Sequence, residues 1–530
     1  MSLPDDILDC SERLLDFHRR SRLEPSSPAA GGIKLPSTRL FSAHPRTPLS
    51  TRILDLPVPV LPLLESGLDA VPESLHRPRG DIQALSTWLY LAGGCRGRGA
   101  AATRAWASCD DAYSVEIYVA AFAFAGLEPG LYHYGVAEHA LRRLRDGPTA
   151  LALLRRGRPD LNFLGQAPGA VLVSTLFCRS SHLHGIRALR NATVDAGAAV
   201  ANLHATAGGL GISTVTRLRL NDAHTRCLIG LDESAPYEEF ETVQAIVAWG
   251  ENADVPHDLT GPADDVLPLI RPALPPTPAY GDVVAAYGDC TVRGVGVREL
   301  RPPLTDLSPL PADVGHADAS STAVPDSRSL RSVLLDGPRP PLQGKPIARA
   351  ALMAISRAGF RSGTFAPLRP DGPHLAVVRP FWVILNVSNV DPGIWWHDPI
   401  HDRWAHLNHG VYPRELVLLA RGREECAEAA AVCVMVANLT KLLGEGGPDL
   451  YRLAHLESGL AGQRMRLAAD AINATAVSFG NFNDALCKQF LGIGHTGWEP
   501  LLLTAVGGRP VTQGSPETAP RDLATLEFRD

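Results

Sequence analysis

The residues best suited to move a proton stand in the run Leu183-His184-Gly185-Ile186-Arg187-Ala188-Leu189-Arg190. A neutral imidazole with an unperturbed pKa near ~6.5 can accept a proton at physiological pH. That makes His184 a candidate general base, with the guanidinium groups of Arg187 and Arg190 close by in sequence. Tyr451, in the corresponding run of the second half, is a candidate second proton donor. Cys178, His182 and His184 offer only three metal ligands, so no metal site is expected. Histidines also crowd WWHDPIHDRWAHLNHG, at His397, His401, His406 and His409, spaced four, five and three apart on a hairpin-like pattern. That spacing suits a surface or substrate-facing loop better than zinc. Gly93 to Arg104 is glycine-rich with three arginines. It lacks the G-x-G-x-x-G spacing of a dinucleotide cradle and reads as a loop able to meet an anionic substrate.

Such residues need a scaffold, and the chain spells one twice. In the first half APGAVLVSTLF is an apolar run of buried-strand type, followed by the long helical pattern GIRALRNATVDAGAAVANLHATAGGLGI. In the second half AAVCVMVANLT precedes GPDLYRLAHLESGLAGQRMRLAADAINA. Adding 262 takes Val171 to Cys433, Gly185 to Gly447, Arg190 to Arg452, Asp195 to Glu457, Gly197 to Gly459, Asp222 to Asp484 and Gly230 to Gly492. Upstream, GLEPGLYHYG and NVDPGIWWHD share Pro-Gly, then aliphatic and aromatic residues, Pro129 matching Pro392 at an offset of 263. Pro-Gly suits a tight turn into a strand. One module of domain size is therefore repeated.

The first half is similar to the SagB/McbC-type dehydrogenases of the nitroreductase-like superfamily. These are FMN-dependent partners of azoline-forming cyclodehydratases. The likeness runs over about residues 85–250, through SVEIYVAAFAFAGLEPGLYHYG, APGAVLVSTLFCR, the long helix and LIGLD, and more loosely over about 325–508. It implies an α+β fold, two tandem α/β sandwich domains forming an intramolecular pseudo-dimer, with FMN in the interface. It also implies roles for residues. The family's Arg-Arg-Ser-x-Arg stretch, which meets the FMN phosphate and ring edge, matches Arg328, Ser329 and Arg331, with Ser327 where the first Arg usually stands. In the first half only Arg77 and Arg79 of SLHRPRGD remain as a remnant. The glycine turn near the flavin ring matches Gly480, Asn481 and Phe482, where the first half has Leu218, Arg219 and Leu220. The family's Lys-Tyr pair is replaced by Leu183 and His184, and its two arginines are kept as Arg187 and Arg190. ASCDDAY (Ala107 to Tyr113) falls on a family turn close to the flavin, and Asp110 there adds negative charge. One FMN per chain, on contacts from the second half, is expected.

Bulk properties narrow the classes. The chain has 530 residues, 45% hydrophobic, 20% charged, net charge -6, as in soluble globular proteins of two or three domains. No basic stripe argues for nucleic acid, no apolar run of membrane length occurs, and nine scattered cysteines fit reduced thiols in a cytoplasmic protein. The expected division is 1–62 an N-terminal extension, partly irregular, 63–252 the first domain, 253–324 a Pro-rich linker and 325–530 the second domain. Within the linker, YGDVVAAYGDCTVRGVGV reads as an added strand. The resemblance implies oxidation of peptide thiazolines or oxazolines to thiazoles or oxazoles, with a precursor peptide and a YcaO-type cyclodehydratase as partners, in a thiopeptide-like pathway. A further homodimer of pseudo-dimers stays open. Two other readings stay open as well: a non-catalytic scaffold that holds the precursor peptide, and a nitro- or ene-reductase using NAD(P)H.

Overall fold

The computed structural model describes residues 5–23, 34–77, 80–96, 103–155, 159–218, 220, 222–231, 239–250, 269–274, 280–291, 317–318, 326–336, 341–360, 377–399 and 401–509. Its first half forms a seven-stranded antiparallel sheet from β1 (Arg46–Pro48), β2 (Val115–Ala121), β3 (Gly130–Gly135), β4 (Ala140–Asp146), β5 (Gly169–Leu176), β6 (Thr214–Arg217) and β7 (Glu241–Trp249). The spatial order is β1-β4-β3-β2-β5-β7-β6. Its helices are α1 (Asp5–Arg20), α2 (Val60–Ser66), α3 (Ile82–Gly93), α4 (Gly147–Arg155), α5 (Phe177–His184), α6 (Ala188–Gly209) and α7 (Asp222–Leu228). Helix α8 (Gly281–Asp289) follows. The second half forms another such sheet from β8 (Ala317–Asp318), β9 (Arg379–Ile384), β10 (Gly393–Asp398), β11 (Arg403–His409), β12 (Ala431–Asn438), β13 (Ala474–Phe479) and β14 (Trp498–Gly508). Its order is β8-β11-β10-β9-β12-β14-β13, the first order with seven added to every label. Its helices are α9 (Leu330–Leu335), α10 (Arg349–Phe360), α11 (Pro413–Leu419), α12 (Leu450–Ala471) and α13 (Asp484–Phe490).

Strand period explains the layering of the first half. Successive side chains leave a strand on opposite faces. Ile117 and Val119 of β2 join the large core shared with α6, while Tyr118 and Ala120 join a second core with Leu151, Leu154 and Leu228 of α4 and α7. Both faces of β2 and β5 are therefore covered, and these strands are buried throughout, as their unbroken apolar runs require. The shared core continues through α12 into the second sheet.

The halves meet where α6 crosses α12. A Cβ on Gly197 would lie 1.9 Å from Leu456 O, and one on Gly459 would lie 1.9 Å from Val194 O. Two helices this close leave room only for hydrogen, which is why the repeat places glycine at both positions. The offset of 262 thus describes a pseudo-twofold relation in space. The next helix position toward each N-terminus that bears a matched acid behaves likewise: Asp195 Oδ1 accepts from Cys109 N at 2.9 Å and Glu457 Oε2 from Val377 N at 2.6 Å.

One expectation about local structure changes. Residues 281–289 form helix α8, not an added strand; Val283, Ala286 and Tyr287 recur at helical spacing and are the buried residues of that helix. Residues 5–20 of the extension are also helical, with Leu14 and Phe17 in the shared core. Most of the expected linker lies outside the described residues, as does Arg79.

Candidate functional site

Helix α5 ends at Gly185, whose φ of 54° turns the chain into α6 at low cost because glycine lacks a Cβ. Arg187 and Arg190, three apart, then face the same way, toward the second half. There Asn483 caps α13 by accepting Leu486 N, and Asp484 opens the helix. Arg187 Nη1 donates to Asp484 Oδ2 at 2.6 Å and Arg190 Nη2 to Asp484 Oδ1 at 2.7 Å. Arg187 Nε also donates to Gly480 O at 2.9 Å, and its guanidinium lies 4.7 Å from the centre of the Phe482 ring. Burial by itself would raise the Asp484 pKa; the two arginines outweigh it and hold the carboxyl at about 2. Burial and the neighbouring Arg190 bring Arg187 down to about 10.

His184 sits beside this cluster. Asn481 Nδ2 donates to Asp110 Oδ2 at 2.5 Å and to His184 Nδ1 at 3.0 Å, while Asn481 Oδ1 accepts from Asn191 Nδ2 at 3.0 Å. An amide nitrogen only donates, so Nδ1 of His184 accepts and its proton sits on Nε2, 3.4 Å from Cys109 O. Burial lowers the His184 pKa, against a smaller pull upward from Asp110. The imidazole is neutral at pH 7, as a base must be, but both nitrogens are engaged.

Tyr451 joins through residues that no motif marks. Its hydroxyl is 3.1 Å from Nδ1 of His18 on α1, and burial raises its pKa. Arg22 and Lys488 each reach Glu499 Oε1 at 2.5 Å. The junction therefore gathers four cationic side chains, Arg22, Arg187, Arg190 and Lys488, against two carboxylates, Asp484 and Glu499. His18 is held neutral by burial and by Arg190. Arg187 Nη2 and Arg190 Nε are buried without a hydrogen-bond partner. Unpartnered buried guanidinium nitrogens in a positive surplus suit an anion such as a phosphate.

Pseudo-symmetry supplies a control. At the start of α12, Arg452 Nη1 reaches Asp222 Oδ1 and Oδ2 at 3.0 and 2.9 Å, and Nε reaches Gln244 Oε1 at 3.3 Å. The Tyr287 hydroxyl from α8 also donates to Asp222. Asp449 replaces Arg187 and Leu218 replaces Gly480. At the matched positions one cation is lost and one anion gained.

Arg328, Ser329 and Arg331 stand elsewhere. Ser329 caps α9 by accepting Ser332 N, Arg328 grips Asp336 at 2.7 and 2.9 Å, and Arg331 is 3.6 Å from Asp55. A Cβ on Gly209, at the far end of α6, would lie 2.4 Å from Leu330. Nineteen residues of helix separate Gly209 from Arg190, about 29 Å. No single FMN spans that length, so these three residues and Gly480, Asn481 and Phe482 do not form one cradle. The first-half counterpart also shifts. Pro59 bridges Ser329, with Val60 N on Arg328 O and Leu330 N on Val58 O, each partner opening a short helix. The counterpart of 328–331 is thus 58–61, which has no arginine, rather than the stretch around Arg77.

The face of Gly480 is filled from the first half: a Cβ there would meet Cys109 Sγ at 2.5 Å and Asn191 Oδ1 at 2.9 Å. The loop that delivers Cys109 carries positive φ at Asp110 (47°), Asp111 (54°) and Tyr113 (47°). Aspartate tolerates that region, but for tyrosine it costs on the order of 1–3 kcal/mol. Arg423 to Asp110 (2.5 Å), Arg179 to Tyr113 O (2.9 Å) and Asp195 to Ser108 and Cys109 hold the loop in place. The junction therefore fits the anionic part of a flavin nucleotide, and its ring face is closed by this loop.

Asp195 gives this loop a pH signature. Burial outweighs its hydrogen bonds and lifts its pKa from 3.8 to about 7. A carboxyl raised on folding stabilises fully below its unfolded pKa and loses that contribution as pH rises to the folded value. Between pH 5 and pH 8 the loss is on the order of 3 kcal/mol. Urea unfolding of the parent and of Asp195→Asn at both pH values should show that component only in the parent. Identical pH dependence would remove Asp195 from the account.

Comparison with known proteins supports the architecture. A crystal structure of a nitroreductase-like protein from Anabaena variabilis superposes over 94% of this chain and 99% of its own, with a TM-score of 0.70 and 18% identity. The fold is nitroreductase-like. The Nitroreductase family model matches residues 391–508, in the half with the looser resemblance by sequence. A nitroreductase-type protein of Methanocaldococcus jannaschii is 27% identical over 125 residues, 23% of this chain and 61% of that relative's length. The Escherichia coli microcin synthetase complex with truncated pro-microcin bound aligns over 46% of this chain at a TM-score of 0.30, too low to support inference. No helix among the described residues is long and apolar enough to cross a membrane.

Proposed function

We propose that this chain is a flavin-dependent oxidoreductase that oxidises azoline rings in a precursor peptide, with one FMN per chain at the start of α6. The observation that carries this reading is convergence. Arg187 bonds Gly480 O and lies over the Phe482 ring, His184 meets Asn481, and Arg190 joins Arg187 on Asp484, where unpartnered guanidinium nitrogens and surplus positive charge suit an anion. Bound FMN would supply a hydride acceptor. Arg187 and Arg190 would hold its phosphate. His184 would take the carbon-bound proton once Asn481 releases Nδ1, and Tyr451 with His18 would relay protons. The partners implied are the precursor peptide and the YcaO-type cyclodehydratase that makes the azolines.

A second reading, a non-catalytic scaffold that binds the peptide, draws on the closed face of Gly480 and the engaged nitrogens of His184. One experiment separates the two. Flavin released by denaturing the purified chain is quantified against protein, and a cyclised peptide is assayed for the loss of two hydrogens per ring. One FMN per chain with oxidation is expected. Two per chain would overturn the asymmetry between the junctions, and none, with peptide still bound, would establish the scaffold.

A further inference from the structure

The hairpin of β10 and β11 brings together residues that the proposed redox site does not use. Its register pairs Gly393 with His409, Ile394 with Asn408 and Trp395 with His406, so Leu407 is an extra, bulged residue. In a regular strand His406 and His409, three apart, would face opposite ways. The bulge resets the alternation, and the two rings lie 3.9 Å apart, centre to centre. Directly opposite residues of an antiparallel pair share a face, so Gly393 and Trp395 lie on that side too. Asp391, two residues before Gly393, completes the set: one ligand atom from each of Asp391, His406 and His409 lies within 4.8 Å of the others.

We propose that Asp391, His406 and His409 bind one divalent transition-metal ion of zinc type. Two imidazole nitrogens and a carboxylate oxygen are a ligand set that zinc accepts with water in the fourth position. Nε2 of His406 is buried with no hydrogen bond of good geometry, and glycine at 393 leaves it room, since a Cβ there would lie 2.5 Å away. The scaffold is fixed in advance. The Trp395 ring stacks on His406 at 4.2 Å and 5°, Trp395 Nε1 donates to Asp391 O at 2.9 Å, and the Tyr412 hydroxyl donates to His409 O at 2.9 Å. Ligands around tetrahedral zinc stand roughly 3.3 Å apart; the exposed Asp391 and His409 side chains close the difference by small rotations. The linear spacing of the histidines argues against zinc because Asp391, His406 and His409 gather only once the bulge forms.

The test uses the tag-free full chain, stripped with a chelator and titrated with zinc chloride against a chromophoric competitor, with cobalt substitution as a second readout. The expected result is one zinc per chain, weakened about a hundredfold or more in His409→Ala and in Asp391→Asn, with loss of the visible cobalt bands. Both positions are exposed, so the fold survives, and circular dichroism of each variant checks this. No zinc uptake by the parent overturns the proposal. So does uptake in His409→Ala equal to that of the parent in affinity and stoichiometry.

Discussion

Alanine at Gly459 is expected to destabilise the protein by at least ~3 kcal/mol, although it adds one methyl group. The added carbon would sit 1.9 Å from Val194 O, 2.7 Å from Val194 C and 2.9 Å from Val194 Cα. All three are backbone atoms of the opposing helix, so no rotamer change relieves the clash. Overpacking usually costs 1–3 kcal/mol where side chains can adjust, and more where they cannot. The helices must separate along the whole crossing, and the shared core opens with them. Gly197→Ala should act alike, since its Cβ would meet Leu456 O at 1.9 Å. Gly492→Ala is the comparison, for it meets nothing within 4 Å and should cost only the strain of its positive φ. Denaturant midpoints of the three variants measure this. A Gly459→Ala protein as stable as Gly492→Ala would show that the helices do not cross there.

Removing the Asp484 carboxylate should have a comparable effect by another route. Asp484→Ala leaves Arg187 and Arg190 buried and charged without a counter-ion, a loss of about 3–5 kcal/mol. Because the folded pKa of Asp484 is depressed to about 2, its contribution is complete above pH 4 and is lost only as pH falls through the folded value. The difference between parent and variant should thus be constant from pH 5 to pH 8, unlike that for Asp195→Asn. Replacing all three groups by apolar residues of similar size should restore much of the stability. A cost below about 1 kcal/mol for Asp484→Ala would mean that the pair is hydrated in solution.

The sequence showed the repeat more clearly than the site. An offset of 262 links Gly197 with Gly459, Arg190 with Arg452 and Asp222 with Asp484, and in space these prove to be the crossing glycines and two matched ion pairs between halves. Side chains that must fit a partner related by pseudo-symmetry keep their spacing, so the register is legible. Upstream the offset grows to 270, where Pro59 meets Ser329, because the connecting segments differ in length. A motif search there lands on the wrong arginines. The grouping of Arg328 and Arg331 with Gly480 failed for a simpler reason, that nothing in a linear pattern shows which end of α6 each segment packs against: Leu330 lies at Gly209 and Gly480 at Arg187. His18 was invisible because its partner is 433 residues away, and α8 because a short aliphatic run fits strand and helix alike.

That last separation has a consequence for how the protein comes into being. Helix α1 leaves the ribosome long before the second half, yet Ser11 bonds Leu443 O and His18 meets Tyr451. At ~5–20 residues per second, covering the 433-residue separation between His18 and Tyr451 takes roughly 20 to 90 s. Throughout that interval Leu14 and Phe17, destined for the shared core, have no docking surface from the second half and remain open to chaperones. Helix α1 thus completes its contacts only after the second half has been made.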